Sequence, residues 1–284
     1  METVPIAGYS DKLSGRPGDK INFMVSSEHK SDFTAQLFRS VSADPNPKGQ
    51  GIVEYACDDF FPKQTFSSRE QKFYPGSYGI TEQTLKMSAD DSIRFSVTVY
   101  PTLKTSNHQT LMEFGRFCLT LDPEGHPSFS FGSETVTTVD AVSMRRWQRV
   151  EAQINKTGLM SIELINLDNS KDSKPAFFQL DVAWDLNEQA YVIIAAQRVK
   201  GSTKNCFNGK IERPEIYADE QSIAVWDFSK NTSSLSVPGI GCPDLMLINA
   251  PTRAVTGALW DASEMNWQHK PEHYAAIAFH EDDI

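Results

Sequence analysis

Polar and apolar residues alternate one by one along most of this chain. In SIRFSVTVYP, Ile93, Phe95, Val97 and Val99 fall on one side and Arg94, Ser96 and Thr98 on the other. The same period of two runs through FCLTL (Phe117 to Leu121), SFSFG (Ser128 to Gly132), FFQLDVAW (Phe177 to Trp184) and AVWDFS (Ala224 to Ser229). Successive side chains of an extended strand point to opposite faces, so runs of this kind, bounded by Gly, Pro, Asp or Asn, predict half-buried strands. VEAQINKTGLMSIELIN predicts two strands folded back on each other at NKTG, Asn155 to Gly158. No stretch of helical length carries a 3.6-residue period. The expectation is an all-β protein with a short helix or two at most.

The ends of the chain are more broken. Pro17-Gly18 predicts a turn before KINFMVSS, and DFTAQLFRSV alternates through Phe33, Ala35, Leu37 and Val41 as one strand. ADPNPKGQG (Ala43 to Gly51) then interrupts regular structure. Asn208-Gly209 is a second turn signal, and NTSSLSVPGIGCPD (Asn231 to Asp244) reads as a linker before a returning strand, Ala275 to Phe279. The predicted organisation is N-terminal strands over residues 1–80, a sandwich over 81–230, and a linker with the returning strand over 231–284. So few strands in residues 8–80 cannot bury a face alone, so they are expected to pack with residues 245–284 as one discontinuous β-domain.

Composition removes several classes of function. With 39% hydrophobic and 23% charged residues the chain has the make-up of a folded protein. A formal charge of −10, against a longest basic run of MRRWQR (Met144 to Arg149), excludes nucleic acid and anionic membrane as partners. The run AYVIIAA is too short to span a bilayer, and the opening METVPIAGYSDKLSG lacks the basic flank and apolar core of a signal peptide. A cytoplasmic location is therefore expected, with Cys57, Cys118, Cys206 and Cys242 as free thiols, mostly buried, and Cys118 in the core.

Three segments in fixed order resemble laminin G-like (concanavalin-like) sandwiches. They are FSVTVYPT (Phe95 to Thr102), the Trp-led pair WQRVEAQINKTGLMSIELIN, and FNGKIERPEIY (Phe207 to Tyr217). A narrower resemblance covers nearly the whole chain. GYSDKLSGRPGDKINFMVS, REQKFYPGSY, CFNGKIERPEI, AVWDFS, LINAPTRAVTGALWD and NWQHKPEHYAAIAFHEDD are similar to the N-terminal half of N,N-dimethylformamidase large subunits. That resemblance implies a hydrolase of short amides whose mononuclear iron is held, in a later domain, by two tyrosines and a glutamate. The family's closing His-Phe-His-Asp-Asp-Asp is altered here, with Ala278 at the first histidine and Glu281 at the first aspartate. The chain ends at Ile284, before the iron-bearing region, so no catalytic residue is carried onto a position in it and no cofactor is expected on it. The implied partners are proteins: the C-terminal catalytic domain, other subunits or a second copy. The implied role is scaffolding or subunit interaction; the alternative is a free-standing glycan- or protein-binding module.

Two groups of residues have the chemistry of a metal site. His269, His273, His280, Asp282 and Asp283 crowd the C-terminus, and imidazole with carboxylate suits zinc or iron. Pro271 stands between the first two histidines and breaks the helix that would align them, so a solvated acidic turn after the returning strand is the expectation. Asp122, Asp168, Asn169 and Asp181 are oxygen ligands suited to calcium at strand ends, where turn chemistry also selects Asp and Asn. Trp147, Trp184 and Trp226 lie in or beside strands and are expected in the core. No G-x-S-x-G elbow or cysteine–histidine pairing is present.

Overall fold

The structure, a computed structural model, describes residues 5–70, 76–167, 174–181, 185, 187–260 and 271–281. It divides into two compact units, Met1–Phe73 and Tyr74–Ile284. The larger unit forms the all-β, antiparallel β-sandwich that was expected. The 3-10 turn Pro271–Tyr274 is the helical element among the described residues.

One sheet of the sandwich has nine strands. From the edge its order is Ala176–Gln179, Leu159–Asn166, Gln148–Asn155, Ser92–Pro101, Gly209–Ala218, Gln221–Trp226 and Gly239–Ile240, with Ala276–Phe279 and Thr252–Val255 attached beside Gly209–Ala218. Every pairing is antiparallel. The long strand Gly209–Ala218 changes partner halfway along. Its first half pairs with Ala276–Phe279 and its second with Gln221–Trp226. A register shift between Glu212 and Glu215 marks the change, where Arg213 takes φ 45° and Pro214 has no N–H to give the ladder.

The other sheet has eight strands in the order Glu134–Thr137, Pro127–Phe131, Phe117–Leu121, Gln109–Phe114, Val192–Ile194, Tyr78–Thr81, Leu245–Ile248 and Ser236–Val237. The two sheets meet over one apolar core. Phe95 of the nine-stranded sheet lies 5.3 Å from Phe117 and 5.6 Å from Phe129 of the other, centroid to centroid. Val97, Val99, Val150, Ile162, Leu119 and Trp226 fill the same layer with at most 1% of their surface exposed. Each large apolar side chain so buried contributes about 1.5–3 kcal/mol relative to exposure.

Leu245–Ile248 and Ala276–Phe279 belong to these sheets, the first beside Tyr78–Thr81 and the second beside Gly209–Glu212. Residues 231–244, expected as a linker, supply a two-residue strand to each sheet. At Asn208-Gly209 the chain enters a strand where a turn was expected. The strand over Phe177 to Trp184 is described only as Ala176–Gln179; Trp184 lies outside the described residues. Trp226 is in the core as expected, whereas Trp147 is half-buried beside Tyr100 at 5.3 Å.

The N-terminal unit is a set of three two-stranded antiparallel pairs: Ile6–Ser10 with Phe23–Ser27, Phe33–Ala35 with Gln64–Phe66, and, between those last two strands in the chain, Phe38–Ala43 with Ile52–Ala56. The Pro17-Gly18 turn is present, closed by the Asp19 N–H on the Arg16 carbonyl at 2.9 Å. The single strand expected over DFTAQLFRSV is split after Ala35, because its two halves pair with different partners.

Candidate functional site

The outer face of the eight-stranded sheet is a trough of about 560 Å³. It is built by a four-strand meander, and two of the turns, Gly115-Arg116 and Gly132-Ser133, are two-residue loops. In both the first residue is a glycine, at φ 58° and 60°, as a II′ hairpin turn requires to follow the strand twist. These tight turns fix the register, and the register fixes the face. Phe117, Leu119, Leu121, Phe129 and Val136 go into the core, leaving the alternate positions outside.

Those alternate positions form two rows across the strands. Glu113 pairs with Cys118, Cys118 with Ser130 and Ser130 with Thr135; Thr120 pairs with Ser128 and Ser128 with Thr137. The hydroxyls bond in cross-strand pairs, Ser128 Oγ to Thr137 Oγ1 at 2.9 Å and Ser130 Oγ to Thr135 Oγ1 at 2.8 Å. Between Glu113 and the opposite edge the side chains of these rows, Cys118, Thr120, Ser128, Ser130, Thr135 and Thr137, are all small, which leaves the face concave there.

Charged groups stand at the rims and are already partnered. At one end Arg116 lies over the Phe131 ring at 4.8 Å and donates to Glu188 at 2.9 Å and Asp185 at 3.3 Å. At the other, burial raises the Asp122 carboxyl, but the His126 N–H at 2.7 Å and ring nitrogen at 3.0 Å outweigh it and hold the group below the usual range. Burial pushes the Glu113 carboxyl up to about 7, against the Arg198 N–H that it accepts at 3.2 Å. Burial, then the Glu113 charge, pushes the Cys118 thiol up to about 12.

A thiol so raised is no nucleophile at neutral pH. Cys118 was expected in the core; it lies instead on the trough floor, half-buried, because the core positions of its strand belong to Phe117 and Leu119. All four cysteines are free, as expected, but Cys206 alone among them is fully buried. Glu113 and Asp122 do not make a catalytic carboxylate pair. Cys118 sits opposite Glu113, and Asp122 lies four positions further along, just past the strand end, about 13 Å away along the backbone.

The outer face of the nine-stranded sheet differs in being crossed by ion pairs. Arg94 lies 3.8 Å over the Tyr217 ring, 3.3 Å from Glu220 and 3.8 Å from Glu151, and the Tyr217 hydroxyl donates to Glu215 at 2.6 Å. Tyr100, on the same face, stands opposite Lys210, seven residues from Tyr217 along the strand and on the order of 20 Å away.

The remaining expected site residues are dispersed. His280 accepts the Ser77 N–H on its carbonyl at 3.0 Å and donates its own N–H to Ser77 Oγ at 2.9 Å, with Nδ1 3.0 Å from the same hydroxyl. It therefore clamps a strand end. The His273 carbonyl accepts the Gly257 N–H at 2.9 Å. Of the calcium candidates, Asp122 is engaged with His126 and Asp181 is exposed. His269, Asp282, Asp283, Asp168 and Asn169 lie outside the described residues. Among the described residues no three of His, Cys, Asp and Glu converge on a point that could hold a metal. No described helix is long and apolar enough to cross a membrane.

No family model matches the chain. Over 99% of its length it is similar to two N,N-dimethylformamidase beta subunits, at 28% identity to that of Paracoccus aminophilus and 25% to that of an Alcaligenes species. The resemblance seen in the sequence motifs thus holds along the whole chain. The chain spans about 44% of the length of each of these relatives. Among solved structures, a carbohydrate-binding protein of Bacteroides ovatus, described as putative in its name, matches 82% of this chain and 75% of its own, at 12% identity and a TM-score of 0.43. That likeness is too remote to bear on either chain's ligand.

Proposed function

We propose that this chain is the non-catalytic β-sandwich portion of an N,N-dimethylformamidase-like amide hydrolase, acting in the cytoplasm as a scaffold and subunit-interaction surface. The observation that carries this reading is the collinear similarity to two dimethylformamidase beta subunits over 99% of the chain. Splitting a short amide into acid and amine belongs in this proposal to polypeptide matching the other part of those relatives. The sandwich would contribute rigidity. Its trough supports that division, since burial pushes its thiol up to about 12, far from a nucleophile's range.

The N-terminal unit supports the interaction role. Phe23, Ile52, Phe60 and Leu13 are each more than 70% exposed, and Phe38, Val41 and Tyr55 at least half. Apolar side chains left exposed in such number within one small unit are what a protein partner would cover. The occupant in this proposal is a protein surface of the same amidase assembly.

The test is reconstitution. Purified alone, the chain should release no dimethylamine from dimethylformamide and hold no stoichiometric iron. Mixed with a polypeptide covering the remaining length of the Paracoccus relative, it should co-elute, and Phe23→Asp with Phe60→Asp should abolish co-elution. Sustained turnover by the chain alone would overturn the reading.

A further inference from the structure

We propose that Lys210, on the outer face of the nine-stranded sheet, anchors a carboxylate-binding site whose ligand carries one carboxylate on a flat apolar group. This goes beyond the amidase reading and does not depend on it.

The strand places the lysine. Ile211 and Ile277 stand opposite each other and are fully buried in the core, so Lys210 and Ala278, one position away on each strand, turn to the outer face. On one side of Lys210 stands Tyr100, with the ammonium 5.0 Å from the centre of its ring. Trp147 packs on Tyr100 at 5.3 Å, so the two rings make a wall along that flank. On the other side come Ala278 and then Thr252, small residues that leave the face low. The site is a step, aromatic on one flank and open on the other.

Charge then selects the ligand. Lys210 Nζ lies 2.8 Å from Thr256 Oγ1 and 3.4 Å from the Thr256 carbonyl, and among the described residues no acid is paired with it. Glu212 shares the face, about 7 Å further along the strand, but is turned to the Ala258 N–H at 2.6 Å. Burial holds the Lys210 amine below its usual range and raises the Glu212 carboxyl, which favours the uncharged form of each. An ammonium half out of water with no counter-charge gains more from an arriving anion than an exposed lysine does. The arginines of this face offer no such opening: Arg94 is paired with Glu220, Arg149 with Glu151 and Arg213 with Glu215.

A carboxylate fits the two polar groups. The Thr256 hydroxyl accepts from the ammonium and still has its own proton to give, so two donors stand 2.8 Å apart. One carboxylate oxygen takes a bond from each, a two-point contact that a monatomic anion lacks. The carbon frame then lies against Tyr100 and Trp147, where a flat group stacks. A dianion such as phosphate is disfavoured, because its second charge would find no second free cation on a chain of net charge −10. The same carboxylate chemistry has two sources, a free aryl acid or an acidic side chain of a protein partner, and the test separates them.

The experiment uses the 284-residue chain with carbon-13 at the lysine Cε positions. Benzoate, acetate, inorganic phosphate and the blocked peptide acetyl-Phe-Glu-amide are titrated in turn and followed by NMR. Benzoate should saturate the site and bind more tightly than acetate, and the Lys210 pKa should rise on saturation while those of the other lysines stay in place. Lys210→Met should weaken binding about tenfold and Thr256→Val about threefold. Thermal melting reports whether each variant folds; if Lys210→Met does not, Thr256→Val carries the test. Saturation by the peptide and not by benzoate would assign the site to the acidic side chain of a protein partner. The proposal fails if neither carboxylate saturates, if phosphate binds in preference, or if binding is unchanged in the folded variants.

Discussion

The sandwich and the N-terminal unit are written in the same alternating code but use it differently. In the sandwich, Phe95, Phe117 and Phe129 meet in a shared interior. In the N-terminal unit, Phe33 and Phe66 stack at 5.6 Å across one strand pair, but Phe23, Phe38 and Phe60 stay exposed. The difference is one of layers. An isolated strand pair has one apolar face and nothing of its own to cover it, whereas two broad sheets cover each other. Alternation therefore specifies strands in both regions and a core in only one.

The largest effect that can test this contrast is a cavity. Phe117→Ala should cost about 3–5 kcal/mol in chemical denaturation, while Phe60→Ala should stay within about 0.5 kcal/mol. Equal losses would show that the N-terminal unit has an interior of its own.

A smaller effect comes from titration. Glu113 carries the raised value of about 7, against 4.5 for an unperturbed glutamate, because the sandwich buries it. The folded chain holds that proton more tightly than the unfolded one, so the stability it gives is complete below pH 4.5 and lost as pH rises through 7. Allowing for its partial exposure, Glu113→Gln should stabilise the protein by about 1–2 kcal/mol at pH 8 and flatten the slope between those limits. In the N-terminal unit the opposite holds: hydrogen bonds from the Asn22 backbone N–H and side chain hold Asp11 below the usual range. That contribution is present above the usual carboxylate range and lost as pH falls, so Asp11→Asn should lower stability slightly at pH 6 and flatten the loss on acidification.

Next is the clamp at the end of Ala276–Phe279. Ser77 is fully buried and bonded to His280, so Ser77→Ala should cost about 1–2 kcal/mol. His280→Ala keeps the backbone N–H on Ser77 Oγ and should cost less. Iron content and hydrolysis should follow neither change. Limited proteolysis gives the finest discrimination, with cuts expected first between residues 28 and 70 and a protected fragment beginning near residue 76.

Much of the fold was legible in single strands. SIRFSVTVYP and FCLTL are where the alternation places them, and NKTG is a hairpin because Asn155 Oδ1 accepts the Thr157 and Leu159 N–H groups within the turn. The trough was not legible, although its residues were. Thr120, Ser128, Ser130, Thr135 and Thr137 each read as the polar half of a strand, and nothing in one strand says which neighbour lies beside it. The sign at Cys118 was available, since it alternates with Phe117 and Leu119. It was missed because a thiol in a strand is so often apolar filling. DFTAQLFRSV failed differently: its alternation is genuine, but Phe33–Ala35 and Phe38–Ala43 pair with separate partners.

The amino-acid order by itself determined where strands begin, which side of each is apolar, and the similarity to dimethylformamidase beta subunits. Those properties reside in neighbouring residues and in motif order, which no folding is needed to expose. Only the tertiary structure decided that Leu245–Ile248 and Ala276–Phe279 join the sandwich, that His280 serves Ser77, and that scattered serines and threonines share one floor. Strand pairing acts between residues far apart in the chain, and its outcome is set by the burial of whole faces rather than by any local preference.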